Sequence, residues 1–153
     1  MNTLTAIDEV FTNIVDNHLQ LKSIYRHTFD ELDIDKVTLG EYPLLYAQVT
    51  SSSVNTGYVE FDYELVVADL VYERQTDSIN DILNETHMIM QDVLAHLINA
   101  VNALSRSNPE WTTDMPVVCD PFYARFNNSL TGWSTTVTIR TPQNSNLCDV
   151  PQV

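Results

Sequence analysis

At 153 residues, the sequence has the length of a single domain with one hydrophobic core. Apolar residues make up 44% of it and charged residues 18%, which excludes a disordered chain of low hydrophobicity. There are 21 acidic and 7 basic residues, and the formal charge of −14 disfavours direct binding to the phosphate backbone of nucleic acids.

Residues 4–21 have the pattern of an amphipathic helix, because apolar side chains recur at spacings of three and four while acidic ones fall elsewhere. Residues 23–29 alternate weakly and favour a short strand. Residues 30–36 carry four acidic side chains without a clear period. The apolar face of the predicted helix comprises Ile7, Val10, Phe11, Ile14, His18 and Leu21.

Two strands are predicted on either side of a turn-forming cluster, residues 51–57, that ends at Gly57. The first, residues 42–50, is rich in aromatic and β-branched side chains, and Pro43 fits the beginning or edge of a strand. In the second, apolar and acidic side chains alternate, which predicts one face in the core and one in water. Beyond residue 66 both faces are apolar, which indicates cover on both sides by a helix or a neighbouring subunit. The alternating apolar residues are Val59, Phe61, Tyr63, Leu65 and Val67.

Residues 78–105 give the strongest helix pattern, opened by a capping box of Ser78 with Asp81. Because a helix of this length spans roughly 40 Å, we expect it to lie across a sheet. Its apolar stripe should pack against the apolar face of the alternating strand. The stripe comprises Ile79, Ile82, Leu83, Met90, Val93, Leu97, Val101 and Leu104.

The C-terminal part predicts two further strands, residues 117–126 and 132–140, joined by a hairpin connection at 127–132. The segment 142–153 is predicted to be a loop or an extended C-terminal arm. The order of helix, strands, helix and strands predicts an α+β fold in a single domain, residues 1–153. We expect an antiparallel or mixed sheet of about four or five strands, with the helices packed on one face.

No group of residues in the sequence indicates catalysis. It has no GxSxG, GxGxxG or Walker-type loop, and its three glycines cannot form a glycine-rich phosphate cradle. Carboxylate pairs of the kind that cleave glycosidic bonds do not indicate an enzyme here, because 21 acidic residues offer many such pairs. Trp111 and Trp133 suit stacking on a sugar, although packing in a core or an interface is favoured. We therefore predict no catalytic residue and no cofactor.

The metal-like patterns are equally weak. Asp92 and His96 lie one helical turn apart, but two groups do not make a metal site. The acidic residues within 30–35 lack the central glycine and the terminal glutamate of an EF-hand loop. Cys119 and Cys148 lack metal-ligand spacing and are expected to be free thiols in a reducing cytosol, although a bridge between them stays open. No metal site is predicted.

The N-terminal residues have no signal-peptide pattern, and no apolar run approaches the roughly 18 to 20 residues that a membrane-spanning helix needs. We therefore expect a soluble protein that is neither secreted nor associated with a membrane.

The segment 121–148 resembles the C-terminal hairpin of a group of bacteriophage structural proteins from tail and neck gene clusters. The segments 30–49, 66–71 and 77–86 resemble the same group in the same order, so the resemblance covers nearly the whole chain. The order of the elements is also similar to that of the tail terminator family: a helix, a strand meander, a long helix across the sheet and a closing hairpin.

This resemblance implies a non-enzymatic virion protein that assembles with itself into a homo-oligomeric ring, commonly a hexamer. Such a ring sits at the neck or tail end of the virion, caps the tail tube and joins it to the head connector. The implied partners are tail-tube and connector or sheath proteins, and DNA passes the lumen without specific binding. Assembly would take place in the cytoplasm of the bacterial host.

Other functions stay open at this point. A neck stopper, a sheath initiator and a tail-completion protein belong to the same structural class. A small acidic adaptor or inhibitor that binds one host protein belongs to another class, since a strongly negative surface can mimic nucleic acid. An enzyme with dispersed catalytic residues would need a deep pocket with perturbed titratable groups.

Overall fold

The computed structural model describes residues 3–26, 42–70, 76–125 and 130–142. Within these ranges the chain forms two helices and a mixed sheet of six strands, which confirms the predicted α+β class. In chain order the elements are α1 (Thr3–Asn17), β1 (Ser23–Tyr25), β2 (Leu44–Asn55), β3 (Tyr58–Leu70), α2 (Thr76–Ser107), β4 (Thr112–Thr113), β5 (Asp120–Arg125) and β6 (Leu130–Pro142).

The sheet is built around three long antiparallel strands in the order β2, β3, β6. β1 pairs in parallel with the first residues of β2, Leu44–Tyr46. β3 covers one side of β6 along its whole length, so β4 and β5 share the other side. The sheet has one strand more than expected, because the two-residue β4 is too short for an alternation pattern.

The helix α1 ends at Asn17, before the predicted end at residue 21. The His18 side chain explains this, because its Nδ1 atom accepts hydrogen bonds from the backbone N–H groups of Gln20 (3.1 Å) and Leu21 (3.2 Å). The chain turns there, and Leu21 reaches the core from beyond the turn with 4% of its surface exposed. Backbone donors bound to Nδ1 place the ring proton on Nε2, which donates to Asp92 Oδ2 at 3.0 Å.

The hairpin between β2 and β3 is longer than expected. The prediction of a turn was wrong for residues 51–55, which continue β2 and pair with β3 as far as Asn55 and Tyr58. Only Thr56 and Gly57 form the turn, and Gly57 has the positive φ of 90° that favours glycine. Pairing with a long neighbouring strand therefore outweighs the turn preference of serine and asparagine.

Both helices pack on one face of the sheet and form the main core with it. The expected contact between the apolar face of β3 and the stripe of α2 is confirmed for Phe61, Tyr63, Leu65 and Val67, whereas Val59 does not belong to this cluster. The indole of Trp133 on β6 donates a hydrogen bond to the carbonyl oxygen of Leu83 at 2.8 Å, which fixes α2 to the sheet. The fully buried side chains of the core include Phe11, Tyr63, Leu65, Ile89, Met90, Val93, Leu97 and Ile139.

A second, smaller cluster lies on the opposite face of the sheet, at the end that carries β1 and β5. Val66 and Ala68 are fully buried there, as the apolar residues on both faces of β3 predict. A single chain buries this cluster, so these side chains need no cover from a neighbouring subunit. Its members are Tyr42, Leu44, Tyr46, Val66, Ala68, Leu70 and Leu130.

Candidate functional site

Three acidic residues of β3 form a row on the sheet face opposite the helices: Glu60, Asp62 and Glu64, called here the acidic row. Asp62 accepts hydrogen bonds from the hydroxyl groups of Thr138 (2.6 Å) and Ser51 (2.9 Å), which lie on the two neighbouring strands. Such cross-strand contacts stabilise the sheet and hold the carboxylates in place. The acidic row is therefore a fixed feature of an open face.

One cation neutralises part of this row. The Arg140 guanidinium donates to Glu60 Oε1 through Nη2 (2.6 Å) and Nε (3.1 Å), and lies 4.4 Å from the centre of the Tyr58 ring. The hydrogen bond to Glu60 raises the pKa of Arg140 above its ordinary value. Within the described part of the chain, no basic side chain forms an ion pair with Asp62 or Glu64. The row keeps a net negative charge.

A shallow polar hollow of about 260 Å³ lies beside the acidic row. Glu64 and Asp120 provide carboxylates and Ser134 and Thr136 provide hydroxyls, but the hollow contains no imidazole or thiol that could activate a nucleophile. Among the described residues, no three histidine, cysteine or acidic side chains are placed to hold a metal ion. Among the described residues, the lining of the hollow therefore provides carboxylates and hydroxyls as its reactive groups.

An open groove of about 320 Å³ separates α1 from α2 and is lined by Val10, Asn13, Ile14, Asn17, His96 and Ala100. The two residues with metal-like spacing do not cooperate there, because Asp92 accepts a hydrogen bond from His18 Nε2 while His96 lines the groove. The acidic residues within 30–35 lie outside the described residues, as does Cys148. Cys119 is a half-buried free thiol.

Both tryptophans have packing roles. Trp111 belongs to the main core with 3% of its surface exposed. Trp133 is bound to the helix carbonyl of Leu83, and the His87 ring packs edge-on against it at a centroid distance of 4.7 Å. Neither side chain is placed as an open platform for a sugar ring.

Among the described residues, burial perturbs two titratable groups, Tyr63 and Asp69. Burial raises the pKa of Tyr63. The adjacent Asp8 carboxylate accepts a hydrogen bond from the Tyr63 hydroxyl at 3.3 Å and raises this pKa further. Asp8 in turn forms an ion pair with Arg26 at 2.9 Å. Burial also raises the pKa of Asp69; the hydrogen bond from the Leu70 N–H (2.7 Å) opposes this shift, and the Glu85 carboxylate increases it. The Tyr63–Asp8 contact connects α1 to the sheet, and neither Tyr63 nor Asp69 lines the hollow or the groove described above.

We expect the Asp69→Asn variant to be more stable than the parent chain at neutral pH. Because the pKa of Asp69 is raised on folding, the folded state binds more protons than the unfolded state between the two pKa values. Stability is therefore lost as the pH rises through that window, and an amide removes this loss while still accepting the Leu70 N–H. Thermal unfolding of both chains at pH 7 and pH 3 should show the larger gain at pH 7. An equal gain at both pH values would contradict the assignment to Asp69 ionisation.

The most distinctive surface is one edge of the sheet, which we call the β2 edge: the outer side of residues Ala47–Asn55. Within the described ranges, no strand pairs with it, since β1 reaches only as far as Tyr46. Thr50–Val54 are exposed on both faces, and 66% of the Val54 surface is in contact with solvent. Sequence reasoning missed this edge because it assigned residues 51–57 to a turn.

The charge pattern of the sequence does contain a signal for this surface. Residues 42–59 include no acidic or basic side chain, although the chain carries a formal charge of −14. An uncharged exposed edge in an acidic protein suggests a surface for assembly.

None of the helices in the described part of the chain has an apolar stretch long enough to cross a bilayer. In comparisons with protein-family models and with curated proteins, the chain matched no family model and no curated protein. The functional proposal therefore depends on the surfaces described above and on the order of the elements.

Proposed function

We propose that this protein is a non-enzymatic structural subunit of a tailed-bacteriophage virion, a tail terminator that forms a ring at the neck or tail end. The ring would cap the tail tube and join it to the head connector. The protein would be located in the virion, after assembly in the cytoplasm of the bacterial host. A stopper, sheath initiator or tail-completion protein is the nearest alternative role for the same fold.

The observation that carries this proposal is the packing of α2 across the β2–β3–β6 sheet. The chain runs through a helix, three strands, a long crossing helix and closing strands, an order similar to that of the tail terminator family. Both helices lie on one face of the sheet. Among the described residues, that arrangement leaves the acidic row and the β2 edge uncovered, where neighbouring subunits could bind.

The charge distribution supports a ring that surrounds passing DNA. The acidic row lies on the helix-free face, and only Glu60 has an arginine partner among the described residues. A negative lumen allows DNA to pass without adsorbing, because like charge removes the gain from counterion release. The formal charge of −14 also exceeds what solubility alone requires of a domain this size.

The mechanism is then one of surface geometry. One face of the ring binds the last ring of the tail tube and covers the surface to which the next tube subunit would add. The opposite face receives the head connector. In this mechanism no residue carries out a chemical step.

The test is a mass measurement on purified protein, alone and mixed with tail-tube subunits, combined with cryo-electron microscopy of the virion. We expect a closed ring at the end of the tube, with acidic side chains facing the lumen. A monomer under both conditions would favour the adaptor or inhibitor, and a basic lumen would contradict the proposed passage of DNA. The predicted terminal arm was residues 142–153, but Pro142 belongs to β6, and residues 143–153 lie outside the described residues. Deleting residues 143–153 tests the rest of the predicted arm.

We also expect chelation to leave the fold and the assembly unchanged, because the proposed function uses no metal. The measurement is the assembled mass and the thermal unfolding of the protein before and after dialysis against EDTA. A metal retained through purification, and lost together with assembly, would redirect attention to His96, Asp92 and the acidic residues within 30–35.

A further inference from the structure

We propose that the β2 edge of one copy binds the opposite sheet edge of a second copy. The opposite edge is defined as residues Met115–Tyr123, which run along the outer side of β6 through the segment before β5 and β5 itself. This inference rests on the proposed ring and names the surfaces through which the ring would close.

Among the described residues, no strand pairs with the outer side of β2 beyond Tyr46, so the backbone groups of the β2 edge are available to a second copy. An edge strand presents backbone N–H and C=O groups that another strand can satisfy. β2 uses its inner side to pair with β3 from Leu44 to Asn55, and β1 occupies only the first three positions of its outer side. Natural sheets often protect such edges with lysine, proline or a bulge. Of these, the β2 edge has only a bulge, at Thr50.

The charge distribution also favours a contact between these two edges. Two copies that each carry a formal charge of −14 repel each other, so a contact forms most readily where charge is absent. The β2 edge lies within the uncharged stretch of residues 42–59. The opposite edge contains a single acidic residue, Asp120. Both edges therefore combine exposure with low charge.

Exposed apolar side chains are concentrated on the same two edges. Six large hydrophobic side chains are exposed in the described part of the chain, and four of them lie on these two edges. Val54 belongs to the β2 edge. Met115, Val118 and Tyr123 belong to the opposite edge, with exposed fractions of 43%, 75% and 58%. Contact between the edges would remove these apolar surfaces from water.

The position of the two edges decides the symmetry of the contact. They are opposite edges of one sheet. The strand order places β2 and β3 on one side of β6, and β4 and β5 on the other. A contact between two different surfaces is heterologous and closes into rings when the rotation permits. Pairing of the β2 edge with a second β2 edge would stop at a dimer.

The experiment compares three variants with the same chemical change. V54E and V118E each place a carboxylate on one of the proposed edges, and M88E places one on the exposed outer face of α2, where Met88 is 55% exposed. All three should fold, as unfolding curves will verify. We expect V54E and V118E to weaken ring assembly at least ten-fold, measured as the protein concentration needed for assembly, and M88E to leave it unchanged.

Mixing the two edge variants tests the head-to-tail arrangement. Each contact needs one β2 edge and one opposite edge, so V54E and V118E together should form a dimer through their two intact edges, but no ring. Rings that persist in V54E or V118E overturn this inference and leave the proposed function standing. If the unsubstituted chain does not self-assemble, with or without tail-tube subunits, both proposals fail.

Discussion

Replacing Gly132 with alanine is expected to destabilise the protein by about 3 kcal/mol or more, at the upper end for overpacked interiors. A Cβ atom at this position would lie 1.9 Å from the backbone oxygen of Val67 and 2.8 Å from the Cα of Ala68. Both atoms belong to the backbone of β3, so no side-chain rotation can relieve the overlap. The central β3–β6 pairing would have to separate locally. Urea unfolding followed by circular dichroism measures the loss.

The matched control for this substitution is Thr136→Ala on the same strand. Thr136 is exposed, so its truncation changes only strand propensity, an effect within about 1 kcal/mol. If Gly132→Ala unfolds at the same urea concentration as the parent chain, the close approach of β3 and β6 at Gly132 is incorrect.

The second large effect is expected for Leu97→Ala. Leu97 is fully buried where α2 crosses the sheet, and removing its side chain leaves a cavity that costs about 2–5 kcal/mol. Phe61→Ala on β3 should cost less, on the order of 1–2 kcal/mol, because the Phe61 ring packs on the core but is half-exposed. Unfolding free energies from urea titration give this ranking directly.

Asn99→Ala is the control for the helix, because Asn99 is exposed on α2 and its removal creates no cavity. Near-equal losses for Leu97→Ala and Phe61→Ala, or no loss for Leu97→Ala, would contradict the packing of α2 on the β2–β3–β6 sheet.

The long elements were predictable because each buries one face. The alternation of Phe61, Tyr63 and Leu65 and the helical period that includes Met90 and Leu97 record which side of each element meets the core. The start of α2 at Thr76 and its end at Ser107 differ little from the predicted 78–105. Local signals failed where a distant partner decides the structure. Ser51–Asn55 remain a strand because β3 pairs with them, and α1 stops because the His18 ring binds the next backbone N–H groups.

The candidate assembly surface was less accessible to sequence reasoning. Whether a strand lies at an edge depends on which strands become its neighbours. Weak alternation indicated β1, but its end at Tyr25 was not predictable, and β4 is too short for an alternation pattern. The polar sheet face was easier, since Glu60, Asp62 and Glu64 alternate with core residues and had to lie opposite them. The uncharged stretch of residues 42–59 was visible in the sequence. Only the exposure of Val54 in the structure shows that part of this stretch lies at the surface.

The position of β6 in the sheet has a consequence for the order of folding. β6 lies between β3 and the β4 and β5 strands, yet it is synthesised after every other described element. Until it emerges from the ribosome, β3 lacks its second neighbour and β4 and β5 lack the strand they pair with. Its pairing joins Tyr58 to Pro142 and Leu70 to Leu130, contacts between distant parts of the chain that slow folding. Until β6 arrives, one edge of β3 is unpaired, and an unpaired strand edge leaves the nascent protein prone to aggregation.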